Sequence, residues 1–80
     1  MDSYDLYWNG DWWSSHTSFD HAKQKIKQII ADHYQDGFNN YSVRKDWDSS
    51  VADETTYDLT INGVIEDKDF FTIKKETINV

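Results

Sequence analysis

The chain has no cysteine, no proline and only three glycines in 80 residues. Without cysteine there is neither a disulfide nor a thiolate metal site, so the core alone must hold the fold, and a reducing compartment is expected. Without proline nothing interrupts an element from within. No apolar stretch approaches the roughly 20 residues that cross a bilayer. The opening Met1-Asp2-Ser3-Tyr4-Asp5 also lacks the basic region and apolar run of a secretory signal. A cytoplasmic protein without membrane association is the expectation. Bases are scarce too: eight Lys and Arg face fifteen Asp and Glu, a net charge of −7.

The deficit is spread along the chain. Residues 1–20 hold Asp2, Asp5, Asp11 and Asp20 and no base, whereas residues 21–36 set Lys23, Lys25 and Lys27 against two acids. Residues 37–80 set nine acids against five bases. Such a field repels nucleic acid and anionic membrane and speeds encounter with basic surfaces. Direct nucleic-acid binding is therefore not expected, and a basic protein surface is.

What the chain does have is aromatic side chains and turn signals. Asn9-Gly10 lies between Leu6-Tyr7-Trp8 and Asp11-Trp12-Trp13, and Asn-Gly is the preferred centre of a type I′ hairpin turn because both positions take positive φ. A two-residue turn there pairs Trp8 with Asp11, Tyr7 with Trp12 and Leu6 with Trp13. Asn62-Gly63 follows Tyr57-Asp58-Leu59-Thr60-Ile61, whose alternation puts Tyr57, Leu59 and Ile61 on one face. A tight turn at Asn62-Gly63 would set Leu59 opposite Glu66 and Tyr57 opposite Lys68. The expectation is instead a bulge at Gly63, a reversal at 66–69 and a final strand from Phe70 to Lys75.

Between the hairpins the spacing of Phe19, Ala22, Ile26, Ile29, Ile30 and His33 predicts an amphipathic helix. Thr17 or Ser18 would cap it and Gly37 would close it at C′. A third strand is read from Asn40 to Trp47, followed by a flexible loop from Asp48 to Glu54. The residues define one α+β domain, 1–80: one amphipathic helix packed on a four- or five-stranded, mainly antiparallel sheet, in the order β-hairpin, α, β, β-hairpin.

No signature of catalysis is present. There is no G-x-S-x-G elbow and no glycine-rich phosphate loop, so the chain is read as non-enzymatic, with no cofactor. His21 and His33 fall about 120° apart around the helix and some 18 Å along it, too far to share an ion, and His33 reads as a core histidine. Asp46-Trp47-Asp48-Ser49-Ser50 opens like a calcium loop but then places Val51 where that loop needs Gly and Tyr57 where it needs Glu. No metal site is expected.

Four Trp, five Tyr and four Phe are more than one small core hides easily. Leu6, Trp8 and Trp13 fall on one face of the first hairpin and Tyr7 and Trp12 on the other, so one helix cannot cover both. Beside them, Asp46 and Asp48, and Asp67 and Asp69, are i, i+2 pairs that project from one side of an extended strand about 7 Å apart, on the scale of neighbouring phosphates. In length, charge, absent cysteine and aromatic content the chain resembles, at the level of class, the small acidic inhibitors of phages and mobile elements, which include nucleic-acid mimics and anti-CRISPR proteins. The resemblance implies a module that occupies a basic nucleic-acid-binding surface. The partner-binding residues expected are Trp8, Trp12 and Trp13 as anchors, and Asp11, Asp46, Asp48, Glu66, Asp67 and Asp69 for steering and charge pairing. A homo-oligomeric or adaptor domain using exposed sheet aromatics, such as a homodimer, is the alternative. A nucleic-acid binder using Lys23, Lys25 and Lys27 is the third reading.

Overall fold

The computed structural model describes residues 2–77. It contains β1 (Asp2–Trp8), β2 (Asp11–His16), α1 (Phe19–His33), β3 (Tyr41–Val51), β4 (Glu54–Ile61) and β5 (Val64–Thr77). The five strands form one sheet in the order β2-β1-β5-β4-β3, with every neighbouring pair antiparallel. One helix on an antiparallel sheet makes this an α+β fold. No helix among the described residues is long and apolar enough to cross a membrane.

Ser18 caps the helix, its hydroxyl accepting the His21 N–H at 3.2 Å, and Asp20 lies in the positive first turn. Ala22, Ile26, Ile29 and Ile30 on one face of α1 pack onto Leu6, Tyr57, Leu59, Phe71 and Ile73 of the sheet. The helix ends earlier than its glycine suggests. Tyr34 is the C-cap, and Gly37, at φ 83°, instead turns the following loop. His33 is exposed and lies against the Trp8 ring at 5.2 Å, so it is no core histidine.

Both Asn-Gly pairs make the same tight turn. Asn9 and Gly10 have φ of 52° and 86°, and Asn62 and Gly63 have 54° and 83°. Ile61 pairs directly with Val64, so the chain reverses at Asn62-Gly63, and β5 begins at Val64 rather than Phe70. The apolar register is recovered further along by shifts on either side of Leu59, which set Leu59 opposite Asp67 and Tyr57 opposite Phe71. Asp69 in the left-handed region, φ 55°, marks the bulge. It lets adjacent Phe70 and Phe71 both enter the core, which the alternation of a regular strand forbids.

Two further expectations are corrected. In the first hairpin Trp8 pairs with Asp11 and Tyr7 with Trp12, but Leu6 then meets Ser14, because a bulge leaves Trp13 as the extra residue. The stretch read as a flexible loop is strand as far as Val51, and β4 starts at Glu54. Its irregularity is a bulge between Asp46 and Val51. Ser50 holds it, donating to the Asp46 carbonyl at 2.6 Å and accepting the Thr56 N–H at 3.0 Å.

Candidate functional site

The last pairing of β1 with β5 is Trp8 opposite Phe71, and the Asn9 N–H reaches the Phe70 carbonyl at 2.7 Å. Beyond that point residues 64–69 of β5 pair with β4 alone. The β4–β5 hairpin therefore runs on past the first hairpin as an arm with one open edge. Glu66, Asp67, Lys68 and Asp69 on this arm are all exposed. Charge on an open edge discourages pairing with another copy.

At the root of the arm is a hollow of about 290 Å³ lined by Trp8, Asn9, Asp11, Trp13, Tyr34 and Phe70. Trp8 forms its wall. The indole packs edge-on to Trp13 at 4.8 Å and to Tyr34 at 6.0 Å, stacks with Phe71 at 6.3 Å, and donates from Nε1 to the Tyr34 hydroxyl at 3.0 Å. Trp13, 43% exposed, is the side chain here that a partner can still cover. Asp11 is exposed on the rim.

Thus the structure brings Trp8, Asp11 and Trp13 together, with the exposed acids Glu66 and Asp67 further along the arm, whereas Asp69 turns its carboxylate away toward β4 and β3. Trp12 does not join them. It pairs with Tyr7 on the other face, where it is 58% exposed. Lys74 lies over the Tyr7 ring at 4.9 Å and pairs with Glu54 at 3.4 Å.

Asp46 was expected at the surface and is buried, at 6% exposure. Its Oδ1 accepts the Asp48 N–H at 3.0 Å, which folds the chain locally and removes the extended i, i+2 geometry. Asp48 is exposed. Asp69 departs from extended backbone as well, so neither acidic pair keeps the phosphate-like spacing of a regular strand. Instead Asp46, Asp58 and Asp69, from three adjacent strands, place carboxylate oxygens within 4.8 Å of one another. The group follows from the bulges in β3 and β5, so its spacing is not written in the chain. Asp58 is 2% exposed and accepts the Asp69 N–H at 2.9 Å.

The far end of the arm presents a feature that the sequence reading missed. Asp36 accepts the N–H groups of Phe38 and Asn39, each at 2.8 Å, and the Tyr41 hydroxyl at 3.0 Å. Those bonds, Asn39 first, hold its carboxyl far below the usual carboxylate range, and the hydrogen bond to Asp36 raises Tyr41 above the ordinary phenol. Asn62 ties this loop to the turn by donating from its backbone to the Asn40 carbonyl and accepting the Asn40 N–H, each at 2.8 Å. Phe38 is thereby held in solvent at 94% exposure. Its setting between Gly37 and Asn39-Asn40 was the available signal, since neither neighbour provides an apolar periodicity.

The helix lysines do not form one track. Lys25 reaches Gln28 and borders a shallow hollow with His16 and His21, while Lys23 and Lys27 border a groove against β3. His16 is held below the usual histidine value by partial burial first and by the charges of His21 and Lys25 after it. No family model, no curated protein and no solved structure matches this chain.

Proposed function

We propose that the chain is a non-enzymatic binding module that docks on a basic protein surface through the root and open edge of the β4–β5 arm. The observation that carries this reading is the aromatic hollow beside exposed acids: Trp13 over the space walled by Trp8 and Phe70, with Asp11 on its rim and Glu66 and Asp67 on the adjoining arm. An aromatic anchor in a pocket with charge around it is the usual anatomy of a binding hot spot. The acidic field steers a basic partner to it. A surface that ordinarily holds nucleic acid is the kind of target this charge suits, and inhibition of such a protein is the role proposed. The altered geometry at Asp46 and Asp69 moves the reading from phosphate mimicry toward steering and anchoring.

The test is a pull-down from lysate of the source organism at low salt, eluted by a salt gradient, with wild type, Trp13→Ala and the double reversal Glu66→Lys/Asp67→Lys in parallel. A basic protein retained by wild type, released at moderate salt and lost with both variants supports the proposal. Loss of an anchoring Trp is expected to weaken binding about 30-fold, mainly through dissociation, and the reversal to slow association. Capture that both variants keep would sink it. Light scattering on the purified protein addresses the alternative: a stable homodimer without a captured partner would assign Trp12 and the other exposed aromatics to self-association.

A further inference from the structure

A groove of about 550 Å³ runs between α1 and β3, and three of the chain's eight bases line it. Lys23 and Lys27 stand one turn apart on the helix and Lys45 faces them from β3, where its ammonium lies 3.8 Å above the Trp47 ring. Neither Lys23 nor Lys27 forms an ion pair with the described residues. Ile30, Ala31 and Val43 continue the walls toward Tyr41.

The groove has a polarity. Tyr34, the helix cap, meets Tyr41 at 6.1 Å, so the C-terminal end of α1 lies at the start of β3 and the lysine end lies near Lys45. From Lys23 to Ala31 is about 12 Å along a helix, and from Tyr41 to Lys45 about 13 Å along a strand. The two walls thus match in length, cationic at one end, apolar through Ile30, Ala31 and Val43, and closed by Gln35 and Tyr41 at the other.

Lysines at a helix rim can simply spread their stems over apolar surface, but that role needs no hydrogen-bond donor beneath them. Here there is one. Tyr57, directly opposite Lys45 in the β3–β4 register, lines the groove at 5% exposure, and its hydroxyl has no hydrogen-bond partner among the described residues. Burial raises its pKa and keeps it a neutral donor. The hydroxyl opens on the groove, so a ligand acceptor there can replace the water it would otherwise meet.

We propose that this groove binds an amphiphilic carboxylate, its head group between Lys23, Lys27, Lys45 and the Tyr57 hydroxyl and its single aliphatic chain along Ile30 and Val43. The size lies within the range of small-molecule sites. The groove shares no lining residue with the docking hollow, which it meets where Tyr41 packs on Tyr34.

Decanoate, below its micellar concentration, is the probe, followed by isothermal titration and by amide shifts in two-dimensional NMR. Saturable one-to-one binding is expected, with shifts concentrated at Lys23, Lys27, Val43 and Tyr57. Tyr57→Phe, which removes only the oxygen, and Lys23→Gln/Lys27→Gln, on the exposed rim, should each weaken it about tenfold, the effect of one charge-assisted hydrogen bond. Decan-1-ol should bind at least tenfold more weakly than decanoate. No saturable binding, equal affinity for the alcohol, or affinity unchanged in both variants overturns the proposal.

Discussion

The indole Nε1 of Trp8 donates to the hydroxyl of Tyr34 at 3.0 Å, a bond between residues 26 apart that fastens the first hairpin to the end of the helix. It also fixes the wall of the proposed docking hollow. Tyr34→Phe should therefore cost about 1 kcal/mol, the net value of a hydrogen bond, while Trp8→Ala should cost about 3–5 kcal/mol through the cavity it leaves. Urea unfolding curves check both. Equal losses in the two variants would mean that the hydroxyl, and not the ring packing, dominates.

Gly63 sits at φ 83° with open space where a Cβ would project. Gly63→Ala should lower stability by about 1–2 kcal/mol through the left-handed backbone alone. Thermal unfolding measures this loss, and an unchanged midpoint would show that the turn tolerates another type.

Asp36 carries the pH dependence of the loop that holds Phe38. Its carboxyl titrates below the ordinary range when folded, because Asn39, Phe38 and Tyr41 donate to the ionised form. The stabilisation is therefore present above the unfolded value, about 3.9, and declines as pH falls below it. Tyr41 has the opposite sign, its raised value giving stability that is lost as pH rises past about 10. Amide shifts of Phe38 and Asn39 should stay constant through about pH 3.9 and move only well below it, where the folded carboxyl takes its proton. Asp36→Asn should remove the acid transition, and its persistence would assign that transition elsewhere.

Asp58 is buried beside two other carboxylates yet serves as acceptor for the Asp69 N–H at the bulge. Asp58→Asn keeps an acceptor and removes one like charge, and Arg44 stands opposite it in the register. The amide should cost less than the alanine or raise stability, because the Asp69 N–H keeps its acceptor. Asp58→Ala should lose about 1–3 kcal/mol by leaving that N–H without its acceptor. Chemical denaturation separates the two, and equal losses would show that the charge itself is needed.

Local rules carried much of the architecture. The Asn-Gly centres, the Ser18 cap and the spacing of Ala22, Ile26, Ile29 and Ile30 depend on neighbours within a few residues, so the first turn, the helix and the antiparallel α+β arrangement are legible in the chain. The bulge expected at Gly63 lies instead on either side of Leu59, because the turn geometry is local whereas the register of Tyr57 with Phe71 is set by burial under the helix.

The candidate sites were legible as residue types and not as places. The hairpin alternation does put Trp8 with Trp13 and Tyr7 with Trp12, but the hollow that Trp8 and Trp13 border needs Tyr34 and Phe70 from distant segments. Asp46 is withdrawn from the surface by a bulge in β3. Lys45 comes opposite Lys23 and Lys27 only when β3 crosses beside α1. Composition and short-range pattern determined that this chain is acidic, aromatic and built from one helix and antiparallel strands. Which acids face solvent, which tryptophan is left to a partner and where the lysines converge were decided by tertiary packing, since each depends on strand register between segments far apart in sequence.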